Sequence, residues 1–346
     1  MAAGNLQNHT KAPSRIKKPS LYCAGALALL LGACQPQPQT LLSDYHSRLQ
    51  RLLAVPSIAF EKPALSALPD IRALSLNIPA ATINLTDLLA LDICDLEPLI
   101  AERNSSLGKV QTDASLLQYE LKLLVKLGSC LQQPALLNQL EPELQTELWQ
   151  IYRQKQQQVP NVLANLLSRD QTLRQQLAGS QRGVEPDQGG LAQSLEALKQ
   201  LSLLRQLILQ QDYQAASNIH INQALGALHQ TQLIADLQHS LRLSESYFAL
   251  LDQQLAAVDT AKLCQTDPSV RENLLIQIFV GRVQAELARL DGMASQLVPE
   301  LLNLYQHHPL STVVQERLQQ PQLGLQQQLR QHVKFWQRWR QCDRPR

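Results

Sequence analysis

Ser217–Val258 reads SNIHINQALGALHQTQLIADLQHSLRLSESYFALLDQQLAAV, a stretch with no proline and a single glycine, Gly226. Leu225, Leu228, Leu237, Leu241, Phe248, Leu251 and Leu255 recur at helical spacing, so one face is apolar and the rest polar. A continuous helix here would be ~60 Å long at the usual rise per residue. Leu275, Ile278, Leu287, Leu290, Leu297 and Leu301 repeat the pattern, which predicts a second long helix folding back antiparallel on the first. The C-terminal half, residues 191–346, therefore reads as an elongated helical bundle, opened by the stripe Leu191, Leu195, Leu198, Leu201, Leu204 and Ile208.

Working towards the N-terminus, Gly179, Gly183, Gly189, Gly190 and Pro186 crowd one short segment, so 179–190 reads as a linker. Before it, residues 41–178 form an N-terminal helical region. Leu148, Ile151, Tyr152, Val159, Val162, Leu163, Leu166 and Leu167 mark helices that should break near Pro160. Leu117, Leu121 and Leu124 step towards Cys130 in a helix that Asp113 can cap, and Asp95 can cap a shorter one with Pro98 in its first turn. Pro63, Pro69 and Pro79 interrupt the stretch before these, and short strands are admitted only in 70–90, at segments such as Leu74–Leu76 and Ile83–Leu85. A first amphipathic helix carries Leu42, Tyr45, Leu49, Leu52 and Leu53 and ends at Pro56. Composition agrees: aromatics are 4% and hydrophobics 45%, so leucine and alanine must build the core, and these favour helix packing. The expected fold is thus mostly all-α.

The first 33 residues read as an export leader. Lys11, Arg15, Lys17 and Lys18 precede the apolar run LYCAGALALLL, Leu21–Leu31, which is too short to span a bilayer permanently. Gly32-Ala33-Cys34 resembles the lipobox of bacterial lipoproteins. That resemblance implies cleavage before Cys34, acylation of its sulfur, and, with Gln35 in place of Asp, delivery to the outer membrane, facing the periplasm. Residues 34–40, with Pro36 and Pro38 among glutamines, read as a tether holding the domain roughly 15–20 Å from the bilayer. The leader carries four of the 31 Lys/Arg and no acid, so the mature chain has 27 against 29 Asp/Glu, a charge of −2. This balance leaves no net basic field to argue for nucleic acid or anionic lipid as a general partner.

Once Cys23 leaves and Cys34 is acylated, Cys94, Cys130, Cys264 and Cys342 remain. An even count in an oxidising compartment suggests two disulfides, with three connectivities open. Cys94 with Cys130 and Cys264 with Cys342 is favoured, since each pair stays inside one half of the chain. The four lack Cys-x-x-Cys or Cys/His clustering, so no metal site is expected.

The run Leu91-x-x-Cys94-x-Leu96-x-x-Leu99-Ile100-x-x-Arg103-Asn104-Ser105-Ser106-Leu107-Gly108-Lys109-Val110, followed by Tyr119-Glu120 and Cys130, resembles a family of bacterial lipoproteins classed as domain of unknown function number 3080. The likeness spans most of the mature chain, and Arg103 to Lys109 is its most specific part. It implies an exported lipoprotein with no assigned activity, and carries over no catalytic residue.

Chemistry-bearing patterns are sparse. Ser106-x-x-Lys109 matches the Ser-x-x-Lys of penicillin-interacting enzymes, but Gly108 disfavours the helix that motif needs and no Lys-Thr-Gly follows. Glu102 resembles the glutamate of lytic transglycosylases without the rest of their signature. His220, His229 and His239 are spaced unlike a ligand set, and His307-His308-Pro309 reads as a turn. In Lys334-Phe335-Trp336-Gln337-Arg338-Trp339-Arg340 the aromatics are expected to pack a last helix on the bundle, with contact to anionic lipid the alternative. No cofactor is called for. The expectation is a lipid-anchored protein held in the membrane through Cys34 that binds an envelope protein through the turn Arg103, Asn104, Ser105, Ser106, Gly108 and Lys109. The alternative is a peptidoglycan-active enzyme using Glu102 to Lys109.

Overall fold

The computed structural model describes residues 38–56, 58, 60–62, 64–79, 91–340 and 342, all within one compact unit, 36–346. Among these the chain is helical with no strand. The principal helices are α1 (Pro38–Leu53), α2 (Asp113–Leu131), α3 (Pro142–Arg169), α4 (Gln171–Ala178), α5 (Leu191–Leu209), α6 (Ile221–Thr231) and α7 (Leu233–Ala256). They are followed by two long rods, α8 (Pro268–Leu304) and α9 (Ser311–Arg340), each continuous through a π-helical stretch at Leu274–Gln284 and Gln315–Gln319.

The main core runs from Leu41 to Trp339 and takes in both halves of the chain. Asp291 accepts from Gln322 and Gln326, while Glu245 lies against Gly324 and His332 faces Asp252. These contacts run α9 antiparallel to α8 and parallel to α7, so α7 and α8 are antiparallel, as the periodicity predicts. The aromatic residues of the last helix face inward: Phe335, Trp336 and Trp339 are buried, and Trp339 donates to the carbonyl of Leu263 at 2.6 Å. They are not available to lipid. A smaller, separate core holds Leu96, Leu99, Leu123, Leu127, Leu131, Leu144 and Leu148, where the 91–104 segment packs on α2 and the start of α3.

Several local expectations are corrected. The 217–258 stripe is two helices, because Gln232 takes a left-handed conformation (φ 46°) between α6 and α7. Pro160 does not break α3: Val159, Val162 and Leu163 are buried on either side of it, and their packing outweighs one lost backbone hydrogen bond. Helix α1 starts at Pro38, inside the expected tether, with proline at the first helical position where its fixed φ suits the turn. The cap of α2 is Thr112, which accepts from the Ser115 amide, and Asp113 pairs with Arg169 instead. Asp95, at φ 52°, is likewise not a cap; its carboxylate pairs with Lys126.

In 70–79 the only regular piece is the helical turn Ile71–Leu74, while 80–90, with Ile83–Leu85, lies outside the described residues. The amide and carbonyl of Leu76 are both met by the side-chain amide of Asn165, at 2.7 and 2.8 Å. A side chain does what a neighbouring strand would have done. The glycine-rich 179–190 segment is docked on α7: Ser180 donates to the Ala235 carbonyl, and the amide of buried Val184 donates to Ser240 Oγ at 2.9 Å. Both disulfides form with the favoured connectivity, Cys94–Cys130 (Cα–Cα 5.4 Å) and Cys264–Cys342 (Cα–Cα 5.2 Å).

Candidate functional site

Cys34 lies outside the described residues. The turn singled out in sequence follows the helix Glu97–Asn104 and closes with the single helical turn Ser106–Lys109. Ser105 makes this happen: its Oγ donates to the Glu102 carbonyl (2.7 Å) and accepts from the Gly108 amide (3.0 Å), ending one helix and starting the next. The Arg103 guanidinium donates to the Gly108 carbonyl and sits 6.0 Å from the Tyr119 ring. A Cβ on Gly108 would meet the carbonyl oxygens of Glu102 and Arg103 at 2.3 and 2.5 Å, so only glycine allows this approach. Glu102, Asn104, Ser105 and Ser106 are exposed; the side chains of Leu107 and Lys109 lie outside the description. Much of Arg103–Lys109 is therefore spent on folding the turn itself. Burial pushes the neighbouring Tyr119 hydroxyl up to about 12, with Glu120 adding to the effect.

The Cys94–Cys130 bridge forms part of the wall of an open cleft of about 600 Å³. Asp95, Lys126, Ser129, Gln133 and Gln214 supply its polar groups, and Tyr152 and Tyr213 its aromatic ones. Asp95 and Lys126 are ion-paired across its rim, and Lys126 also donates to the Asp95 carbonyl at 2.9 Å. Gly128 makes room for Tyr152, whose ring and hydroxyl would lie 3.1–3.3 Å from any Cβ there. Asp212 caps the helix Tyr213–Ser217 through the Ala215 amide at 3.0 Å, which fixes Tyr213 at the cleft. Burial raises the Tyr213 pKa, and Tyr152 contributes in the same direction. Nearby on α3, Trp149 is exposed, with Arg153 6.0 Å from its ring. Sequence analysis named the disulfide here but not the cleft. Tyr152 and Tyr213 are 61 positions apart, and no local pattern announces that they meet.

Two other constellations have the residue types of catalysis. His308 Nε2 lies 3.0 Å from Ser168 Oγ. Its Nδ1, however, accepts from the Leu310 amide at 3.1 Å, so Nε2 carries the proton and donates; the ring has no free lone pair to take a proton from the serine. Both side chains are buried. The second set is Asp252, His332 and Tyr45. Trp336 Nε1 donates to the Tyr45 hydroxyl (3.0 Å) and to His332 Nε2 (3.2 Å), Tyr45 is hydrogen-bonded to the same nitrogen, and His332 Nδ1 faces Asp252 at 3.8 Å. Tyr45 and His332 are each 0% exposed, which closes the group to any substrate. Burial lowers the His332 pKa against the opposing pull of Asp252, and raises that of Tyr45. The network joins α1 to α9 as a polar latch within the aromatic core.

Among the described residues no group of three or more His, Cys, Asp or Glu is placed to hold a metal ion, and no helix is long and apolar enough to cross a membrane. A family model described as protein of unknown function (DUF3080) matches residues 42–345. No curated protein and no solved structure matches the chain.

Proposed function

Because the chain belongs to the family of proteins of unknown function DUF3080, which brings no activity with it, we propose its role from its own sequence and geometry: a lipid-anchored envelope protein that binds a protein partner rather than turning over a substrate. The anchor is Cys34, diacylated on its sulfur and made the new N-terminus by removal of residues 1–33, in the outer membrane and facing the periplasm. The two disulfides support an oxidising compartment. The observation that carries the binding reading is a contrast of access. The cleft beside Cys94–Cys130 is open, with half-buried Tyr152, exposed Ser129 and Gln133 and the Asp95–Lys126 ion pair on its lining, while Ser168, His308, Tyr45 and His332 are buried. Tyrosine with adaptable amides is the chemistry of recognition surfaces. The rigid wall of the cleft comes from the disulfide and from the α2–α3 packing behind it.

Incubating the purified protein with isolated peptidoglycan and analysing released fragments separates binding from turnover. No release is expected from the wild type. Release that disappears in Glu102→Gln would overturn the binding reading in favour of a cell-wall enzyme acting at the 102–109 turn.

A further inference from the structure

The exposed side of α1 carries a second feature that the cleft does not explain. Arg48 and Arg51 on α1, with Val270, Asn273, Leu274 and Ile278 on α8, line a groove of about 430 Å³ whose floor also includes Leu52. Its walls are aliphatic and its rim is cationic. Asp44 is the only carboxylate on α1, and Arg48 already holds it through Nε at 2.9 Å to both oxygens. Arg51 donates only to the Ser47 carbonyl, at 3.3 Å, and has no carboxylate partner among the described residues. Val270, at the edge of the groove, is 52% exposed.

An aliphatic floor under two guanidinium groups fits an amphiphile with an anionic head better than a free anion, which would have no use for the floor. The sequence adds the means of delivery: only three residues separate Cys34 from Pro38, where α1 begins. The four Cα steps from Cys34 to Pro38 reach about 14 Å even fully extended, so an anchor at Cys34 keeps the start of α1 near the bilayer surface. We infer that the α1–α8 groove docks on the membrane and takes an anionic phospholipid, its phosphate on Arg48 and Arg51 and its acyl chain along Leu52, Leu274 and Ile278. This rests on the reading that Cys34 is the anchor. Helix α1 then lies along the bilayer, and the lipid contact fixes the orientation of the bundle.

The test uses residues 36–346, whose core draws on no described residue before Leu41. It is co-sedimented with phosphatidylcholine vesicles, with and without phosphatidylglycerol, so that no acyl anchor contributes. Binding that needs phosphatidylglycerol is expected, weakened about 30-fold in Arg48→Gln/Arg51→Gln, from two basic side chains taken off an anionic surface. Val270→Ser, at an exposed position, should weaken it too while leaving the melting temperature unchanged. Inorganic phosphate should compete no better than chloride at equal ionic strength. Absence of vesicle binding, binding indifferent to phosphatidylglycerol, or arginine variants equal to wild type overturns the proposal. The anchor itself is read separately, as the acyl mass on Cys34 of the cell-made protein, so either reading can fail without the other.

Discussion

Breaking the buried ion pair between α2 and α3 should cost the protein much of its stability, and removing the pair entirely should not. Lys155 Nζ lies 2.7 Å from Glu120 Oε1, with only 8% and 7% of the two side chains exposed. Lys155→Met leaves the Glu120 carboxylate buried with its ionic partner gone, a loss of about 3–5 kcal/mol by analogy with other buried pairs. Some 300 ordered residues give an unfolding entropy of roughly 0.6 kcal/mol/K, so the melting temperature should fall by about 5–8 °C. The double variant Glu120→Leu/Lys155→Met fills the same space with apolar groups, and its stability should return to within about 1 kcal/mol of wild type. Calorimetry on the four proteins of the cycle gives the coupling directly. If Lys155→Met melts within about 2 °C of wild type, a cost near 1 kcal/mol, the pair is not the buried interaction described and the reasoning fails.

Other predictions follow from the same geometry. His239 is lowered to about 4, first by burial and then by Lys62 and Arg242, and burial lowers His308 and His332 as well. These rings stay neutral in the fold while the unfolded chain takes up protons below about pH 6.5. Stability held above that pH should therefore drain away as pH falls towards 4. Denaturant midpoints at pH 7 and pH 5 measure the loss; His239→Gln should flatten it, and equal midpoints for the wild type would contradict the assignment. The disulfides close loops with sequence separations of 36 and 78 residues. By the chain-entropy estimate they stabilise by about 4 and 4.5 kcal/mol. Residues 36–346 should take up alkylating reagent at no cysteine before reduction and at four after it, and any labelling without reductant would break the assigned pairing. Gly108→Ala should cost ~1–3 kcal/mol through its clash with the Glu102 and Arg103 carbonyls. It should also quicken tryptic cleavage after Arg103; unchanged proteolysis would mean that the turn tolerates a side chain.

The helical class was legible because leucine recurs at one spacing through most of the chain, and a face repeated so often outweighs local detail. The local detail is where the reading slipped. Pro160 looked like a break because a proline's cost is visible in sequence, whereas the buried flanks that offset it are not. Gln232 looked helical because nothing in a glutamine announces a left-handed residue. The segment at Leu74–Leu76 suggested a strand, but the backbone of Leu76 bonds to the side chain of Asn165, distant in sequence, and to no neighbouring strand. The turn Arg103–Lys109 stood out in the sequence, and the structure gives several of its residues a folding role: Ser105 and Arg103 bond within it, and Gly108 allows the close approach of the chain. The cleft and the α1–α8 groove escaped notice, since Tyr152 with Tyr213, and Arg51 with Val270, meet only through tertiary packing.

The measurement that bears most directly on the binding reading is photo-cross-linking in growing cells. A photoreactive residue is placed at exposed Ser129 in the cleft and, as control, at exposed Gln296 on α8. The account predicts one reproducible protein adduct from position 129, absent from position 296 and diminished when Lys126→Glu reverses the charge at the rim. No adduct specific to position 129, or one indifferent to Lys126→Glu, would contradict the claim that this cleft is where the protein meets its partner.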